Sequence, residues 1–163
     1  MKLGIIGAGN LGSALARRFV TVGHDVSLAN SRGPASLAEL AKEIGAHAAT
    51  VEDVARTNDV VVVTIPEKGV EELPAALFDG ALAGVVVIDT GNYYPQQRDG
   101  RIDGIEAGLT ESAWVGQQIG TRSSKPSIQS PLNICSKTES GAARAAESRS
   151  RSPVTTLARR MSS

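Results

Sequence analysis

The chain has 163 residues, with 17 basic and 17 acidic side chains, two histidines and a single cysteine, Cys135. That length suits one domain with a sizeable core, and a net charge of zero gives no pull towards nucleic acid or anionic membrane. One cysteine excludes a disulfide framework and a cysteine-rich metal site, and no apolar run is long enough to span a membrane.

The chain enters an apolar run at once, so no signal peptide is expected and a cytoplasmic location is the default. That run, Leu3-Gly4-Ile5-Ile6, reads as a strand and leads into Gly7-Ala8-Gly9-Asn10-Leu11-Gly12. Gly7, Gly9 and Gly12 form G-x-G-x-x-G. Leu11, Ala14, Leu15, Phe19 and Val22 follow at helical spacing. Strand, glycine turn and helix together predict a dinucleotide-binding loop. Gly7 makes the tight turn, Gly9 admits a pyrophosphate, and Gly12 lets the helix pack closely on the strand. The helix N-terminus then offers free N–H groups and partial positive charge to the anion.

Val26 to Ala29 reads as a second strand, ending in Asn30-Ser31-Arg32-Gly33. In a dinucleotide domain this is where the adenosine ribose is met. A carboxylate there would bind the 2′-hydroxyl of NAD and repel the 2′-phosphate of NADP. The chain has instead a hydroxyl, Ser31, and a guanidinium, Arg32, which suit a phosphate by charge and forked geometry. NADP is the expected cofactor.

Pro34 opens a second helix, with Leu37, Leu40, Ala41 and Ile44 on one face and Gly45 as its left-handed end. Ala46 to Ala49 predicts a short third strand, and Thr50-Val51-Glu52-Asp53 a capped helix start. Val60 to Ile65 is apolar and β-branched, as a strand covered on both faces should be, and Pro66 stops it. A broken helix around Pro74 precedes a fifth strand over Gly84–Asp89. The alternation implies an α/β, Rossmann-type parallel sheet with strand order 3-2-1-4-5. Ligands of such sheets bind beyond the carboxyl ends of the strands, so Thr64, Ile65, Pro66, Thr90 and Asn92 are expected to border the nicotinamide. His24 and His47 fall in turns away from that edge. No acid–base pair stands out as catalytic, and no metal site is expected.

Gly4 to Gly12, Asn30-Ser31-Arg32, Thr64-Ile65-Pro66, Asp89-Thr90-Gly91-Asn92-Tyr93-Tyr94-Pro95, Arg98-Asp99-Gly100 and Thr110-Glu111-Ser112 together resemble one group. It is the NADP oxidoreductases related to the 5-deazaflavin-coenzyme-dependent NADP reductase. The resemblance covers about the first 120 residues. It implies NADP held by Gly7 to Gly12 with Ser31 and Arg32, and hydride transfer to a deazaflavin, a flavin or another small acceptor. It also implies a homodimer for a full-length member. Hydride transfer needs aligned rings more than an acid or base. Two other functions fit the same residues: a non-catalytic NADP-binding module, and imine reduction like that of pyrroline-5-carboxylate reductase.

The resemblance and the composition both break after Gly120. Through Gly120 there are 9 basic and 15 acidic residues; from Thr121 there are 8 and 2, with 11 of the 16 serines and no aromatic ring. In place of this stretch the family continues with a strand resembling Val-Lys-Ala-Phe-Asn-Thr-Ile. Reading from the third base of each codon, allowed codons for Ser123 to Ser130 spell that same run. Glu147 to Leu157 at the same offset spell Ile-Ala-Leu-Pro-Val-Ala-Gly-Asp-Asp-Ala, again as in the family. Residues 1–120 are therefore expected to form the NADP-binding domain, and 121–163 to be an out-of-frame, disordered tail; a native basic tail is the alternative. With few large apolar residues the tail should build no core, and the fifth strand should be left as the sheet edge.

Overall fold

Five short apolar stretches form strands: β1 (Lys2–Ile6), β2 (Asp25–Ala29), β3 (His47–Ala48), β4 (Val60–Val63) and β5 (Val86–Asp89), of which β4 and β5 are the β-branched runs. Between and after them lie α1 (Asn10–Thr21), α2 (Ala38–Ile44), α3 (Val51–Thr57), α4 (Glu67–Val70), α5 (Asp103–Glu106) and α6 (Glu111–Gln118). The computed structural model describes residues 1–120 and the backbone of one further strand, β6 (Ser127–Gln129).

All strand pairs are parallel, and the sheet order is β3-β2-β1-β4-β5-β6. The 3-2-1-4-5 order is the one the sequence implies. The expected edge at β5 is corrected, because Val86, Val87 and Ile88 pair with Ser127, Ile128 and Gln129. Strand pairing is made by backbone N–H and C=O groups, which any three residues other than proline supply. A segment without hydrophobic period can therefore still cap an edge. The rest of the expected disordered tail, 121–126 and 130–163, lies outside the described residues.

Alternation along the central strands builds two cores. Leu3 and Ile5 of β1 and Val62 of β4 join Val26, Leu28, Ala16, Leu37 and Ile44 under α1 and α2. Ile6, Val61 and Val63 point to the other face, among Val54, Ala55, Trp114, Val115 and Ile119 of α3 and α6. Fully burying one such valine stabilises the fold by roughly 1.5–3 kcal/mol. Chain ends are made as expected in most places. Thr50 caps α3 by accepting the Asp53 N–H, and Gly45 ends α2 at φ 81°. Pro34 to Leu37 is a 3-10 turn rather than the first turn of α2.

Helix α1 is rotated relative to the expected apolar face. Leu11 and Val22 are exposed, at 51% and 68%, while Gly12 and Ala16 are buried and Leu15, Phe19 and Val20 flank them. The two small residues, one turn apart, let the helix axis approach the sheet more closely than a leucine stripe would. At Gly12 the approach is extreme: a Cβ would overlap the Gly7 carbonyl oxygen and lie 2.7 Å from Thr64 Oγ1. Gly12→Ala is expected to lower stability by about 1–2 kcal/mol in urea unfolding. Overpacking against backbone outweighs the gain in helix propensity. A midpoint equal to or above that of the parent would refute this contact.

Candidate dinucleotide site

The glycine turn sits where β1 ends. Gly7 adopts φ 112°, and its N–H donates to the Ala29 carbonyl at 2.9 Å, tying the turn to the end of β2. The Thr64 hydroxyl donates to the Gly7 carbonyl at 2.7 Å, tying it to the end of β4. Gly9 caps α1 in extended conformation, and a Cβ there would meet nothing within 4 Å. The first turn of α1 holds no acidic residue and receives no side-chain cap, so its N–H groups and positive dipole end face open space. A helix N-terminus left open in this way suits an anion.

Gly7, Ala8 and Gly9 line a cleft of about 880 Å³ together with Asn30, Ser31, Arg32, Gly33, Thr64, Ile65 and Pro66. Most sequence-expected binding residues therefore share one surface, at the carboxyl ends of β1, β2 and β4. The Asn30 side chain shapes the rim. Its Oδ1 accepts the Arg32 backbone N–H at 3.0 Å, and its Nδ2 donates to Ser36 Oγ at 3.0 Å. The Arg32 guanidinium makes no hydrogen bond or ion pair among the described residues. No carboxylate follows β2. The residues present thus fit a dinucleotide with a charged group at the ribose end.

Five of the named positions lie outside the cleft. Asn10 and Leu11 are exposed on the first turn of α1, and neither lines the cleft. Gly12 is internal packing. Thr90 and Asn92 do not line the cleft: the Thr90 hydroxyl donates to the Val63 carbonyl at 2.9 Å, and Asn92 Nδ2 donates to the Tyr94 hydroxyl at 2.8 Å. The cleft also includes Thr50, Val51 and Glu52 at the start of α3, and Gly69, Glu72 and Leu73 beyond β4. Thr50 to Glu52 carry only a helix-capping signal, and Gly69, Glu72 and Leu73 carry no motif. Only the parallel order of β2, β1 and β4 could have named them.

Residues 91–111 form a clasp across the end of β5. Arg98 Nε donates to Asp99 Oδ1 at 3.1 Å and its NH2 group to Oδ2 at 3.2 Å and to the Asn92 carbonyl at 2.6 Å. Asp99 Oδ2 also accepts the Tyr94 N–H at 2.9 Å. The Tyr93 hydroxyl accepts the Ile102 N–H at 2.9 Å and donates to Glu106 at 3.0 Å, and Glu111 accepts the Tyr93 N–H at 3.2 Å. Burial alone would raise the Asp99 carboxyl, but Arg98 and the N–H groups of Tyr94 and Lys68 hold it below the ordinary carboxylate range.

Glu67, which the sequence reading passed over, lies under this clasp. It opens α4, where an acidic residue normally faces solvent and the helix dipole. Here it is fully buried, and neither oxygen has a hydrogen-bond partner among the described residues. Burial pushes its carboxyl up to about 7, with the charges of Asp89, Glu111 and Asp99 adding to the shift and Arg98 opposing it. Burial also raises Asp89, with Glu111 adding, against the Gly91 N–H, which lowers it.

Two outcomes follow for these tethers. Thr64→Val should cost about 0.5–1.5 kcal/mol in thermal or urea unfolding, because the Gly7 carbonyl loses its donor. Arg98→Ala should cost about 1–3 kcal/mol near neutral pH, a difference that shrinks in acid. The native Asp99 pKa is depressed, so its stability is present above 3.8 and lost as pH falls through the folded value. Without Arg98 the folded value rises towards the unfolded one and this acid-dependent loss shrinks, so the parent and variant curves should converge as unfolding is followed from pH 6 to 2.

The chain is similar to several solved proteins. A hypothetical protein from Sinorhizobium meliloti has 27% identity and a TM-score of 0.61, with 82% of this chain and 62% of that one covered. A protein provisionally described as an F420-dependent NADP reductase, from Arthrobacter, has 21% identity and a TM-score of 0.62 over 82% and 62%. A reductive aminase from Aspergillus terreus shares the fold at 21% identity and a TM-score of 0.53, over 79% and 40%. The chain thus spans less than two thirds of the length of these proteins. No curated protein sequence matches it. Among the described residues no helix is long and apolar enough to cross a membrane. Residues 2–93 match the model of the family "NADP oxidoreductase coenzyme F420-dependent", more than half of the chain, and the chain belongs to that family.

Proposed function

We propose that the chain binds NADP(H) in the cleft between the glycine turn and Asn30–Gly33, and that the protein it represents transfers hydride between the nicotinamide and a small acceptor of deazaflavin or flavin type. The observation that carries this reading is the Arg32 guanidinium, without a partner among the described residues, lining the same cleft as the glycine turn Gly7–Gly9. The family match supports it. The α1 N-terminus and the Gly9 backbone would hold the pyrophosphate, while Ser31 and Arg32 would hold the 2′-phosphate. Thr64, Ile65 and Pro66 form the wall leading to the nicotinamide end, and the Thr64 hydroxyl fixes the turn rather than meeting ligand. Bound NADPH would supply the hydride. The chain would supply orientation and exclusion of water, which is most of what such a transfer requires.

Arg32→Ala should weaken NADPH binding by about 1.5–3 kcal/mol, some 10- to 100-fold, and leave NADH almost unchanged. Isothermal titration with both cofactors reads this directly, and equal losses for the two would remove Arg32 from the phosphate site. Gly9→Val should leave the sheet folded, since a Cβ at Gly9 meets nothing within 4 Å, yet abolish binding of either cofactor. Unaltered NADPH affinity in the folded variant would overturn the glycine-loop assignment. Hydride transfer from NADPH to a panel of deazaflavin, flavin, quinone and imine acceptors would separate an oxidoreductase from a binding module.

The same proposal includes the tail. One codon offset restores two stretches in which the family's residues reappear, which supports an out-of-frame 121–163 and an acceptor side that is incomplete in this chain. The full-length protein would then be a homodimer of soluble, cytoplasmic type. Sequencing independent DNA across codons 118 to 125 tests this: an unbroken frame there would exclude it. Restoring the frame should recover turnover with the preferred acceptor.

A further inference from the structure

Glu67 is fully buried at the start of α4, and the buried side-chain oxygens left without a partner among the described residues are both its own. An ionised carboxylate in that position is strongly unfavourable unless paired, so its state needs a physical account. The groups facing it are mostly of its own sign. They are Asp89 at the end of β5, Asp99 and Arg98 in the π-helical turn Pro95–Asp99, and Glu111 in the first turn of α6. The cation among them is already engaged, because the Arg98 guanidinium is held by both Asp99 oxygens and the Asn92 carbonyl. The backbone N–H of Lys68, next along α4, helps hold Asp99 in its ionised form. Three His, Cys, Asp or Glu side chains placed to hold a metal ion are found nowhere among the described residues.

Two carboxyl groups converge on one backbone position. A Cβ on Gly91 would clash with the Glu67 carboxyl, and Asp89 Oδ1 lies 3.0 Å from the same point. Asp89 Oδ1 also accepts the Gly91 N–H at 2.9 Å, a bond that favours the ionised form of Asp89 over that of Glu67, unpartnered among the described residues. Glu67 is then the member that can carry a proton.

We propose that Glu67 and Asp89 hold a single proton between them, and that this proton seats the Thr90–Asn92 turn against the end of β4, making the turn a pH-sensitive element beside the dinucleotide cleft. In the seated state the neutral Glu67 acid donates its O–H to the Asp89 carboxylate. Release of the proton to solvent leaves two adjacent buried anions, which repel each other and loosen the turn between them. Thr90 then loses the support behind its hydrogen bond to the Val63 carbonyl. The proposal concerns the free protein, so it is tested without cofactor and does not depend on the NADP reading.

The sign of the effect follows from the raised acid. Its native value of about 7 lies above the ordinary 4.5, so between the two the folded state holds the extra proton. That contribution is complete below 4.5, shrinks as pH rises, and is gone above the native value. In the full chain without ligand, the thermal midpoint is expected to fall from pH 5 to about 7.5 and level off beyond it. In Glu67→Gln, which mimics the neutral acid, the fall should flatten and the midpoint should exceed that of the parent at pH 8. The amide NMR signals of Gly91 and Asn92 should shift across the same window in the parent and stay fixed in the variant. An infrared carboxylic-acid band at pH 6 should move on labelling with carbon-13 glutamate and vanish by pH 9. The same pH slope in parent and variant, amide signals indifferent to pH, or no protonated glutamate at pH 6 each overturn the proposal. The infrared and NMR measurements on the parent decide it even if Glu67→Gln fails to fold.

Discussion

Helix α1 begins where it does because position 12 has no side chain. The Gly7 carbonyl occupies the place a Cβ would take, and the Thr64 hydroxyl fills the remaining space while donating to that carbonyl. This contact fixes three things together: the distance of α1 from the sheet, the left-handed turn at Gly7, and the alignment of β1 with β4. The open cradle at Gly9 is a consequence. Once the turn is locked from behind, the N–H groups of the first helical turn can only face outward, where an anion can use them.

The clasp over residues 91–111 works by another kind of chemistry. The cleft side of the sheet is held by backbone and small residues, whereas the clasp is held by charged and aromatic side chains hydrogen-bonded to backbone. Tyr93, Arg98, Asp99 and Glu111 each satisfy a main-chain group of a neighbouring turn. Such loops need their backbone groups paired internally, since the sheet cannot pair them. Two pieces of the family resemblance, Asn92 to Pro95 and Arg98 to Gly100, fall here and not in the cleft. Their role in this chain is to build the wall that closes over β5, and the buried Glu67–Asp89 pair lies where that wall meets the sheet.

The strands, their order and the glycine loop were legible because each rests on a local signal. Continuous β-branched runs in Val60–Val63 and Val85–Ile88 match strands covered on both faces, and alternation of strand and helix leaves little topological choice. The α1 face was misread because the hydrophobic period counts Leu11 and Val22 but gives no weight to glycine. Packing did the opposite and used Gly12 and Ala16 as the contact stripe. Glu67 was invisible for a similar reason: an acidic residue after a proline at a helix start reads as a solvated first-turn residue. Its burial comes from α6 and from the Pro95–Asp99 turn, both distant in sequence.

By itself, then, the sequence determined the parallel α/β sheet, the glycine turn between β1 and α1 and the placement of Ser31 and Arg32 after β2. These depend on periodicity, backbone freedom and charge at known spacing, which are properties of neighbouring residues. The tertiary structure alone decided that Thr64 serves the glycine turn, that Thr90 and Asn92 serve the clasp, and that Ser127–Gln129 covers the edge of β5. It also decided that two carboxyl groups meet at Gly91. Each of these depends on which distant backbone groups come to lie opposite one another, and no local pattern encodes that partner.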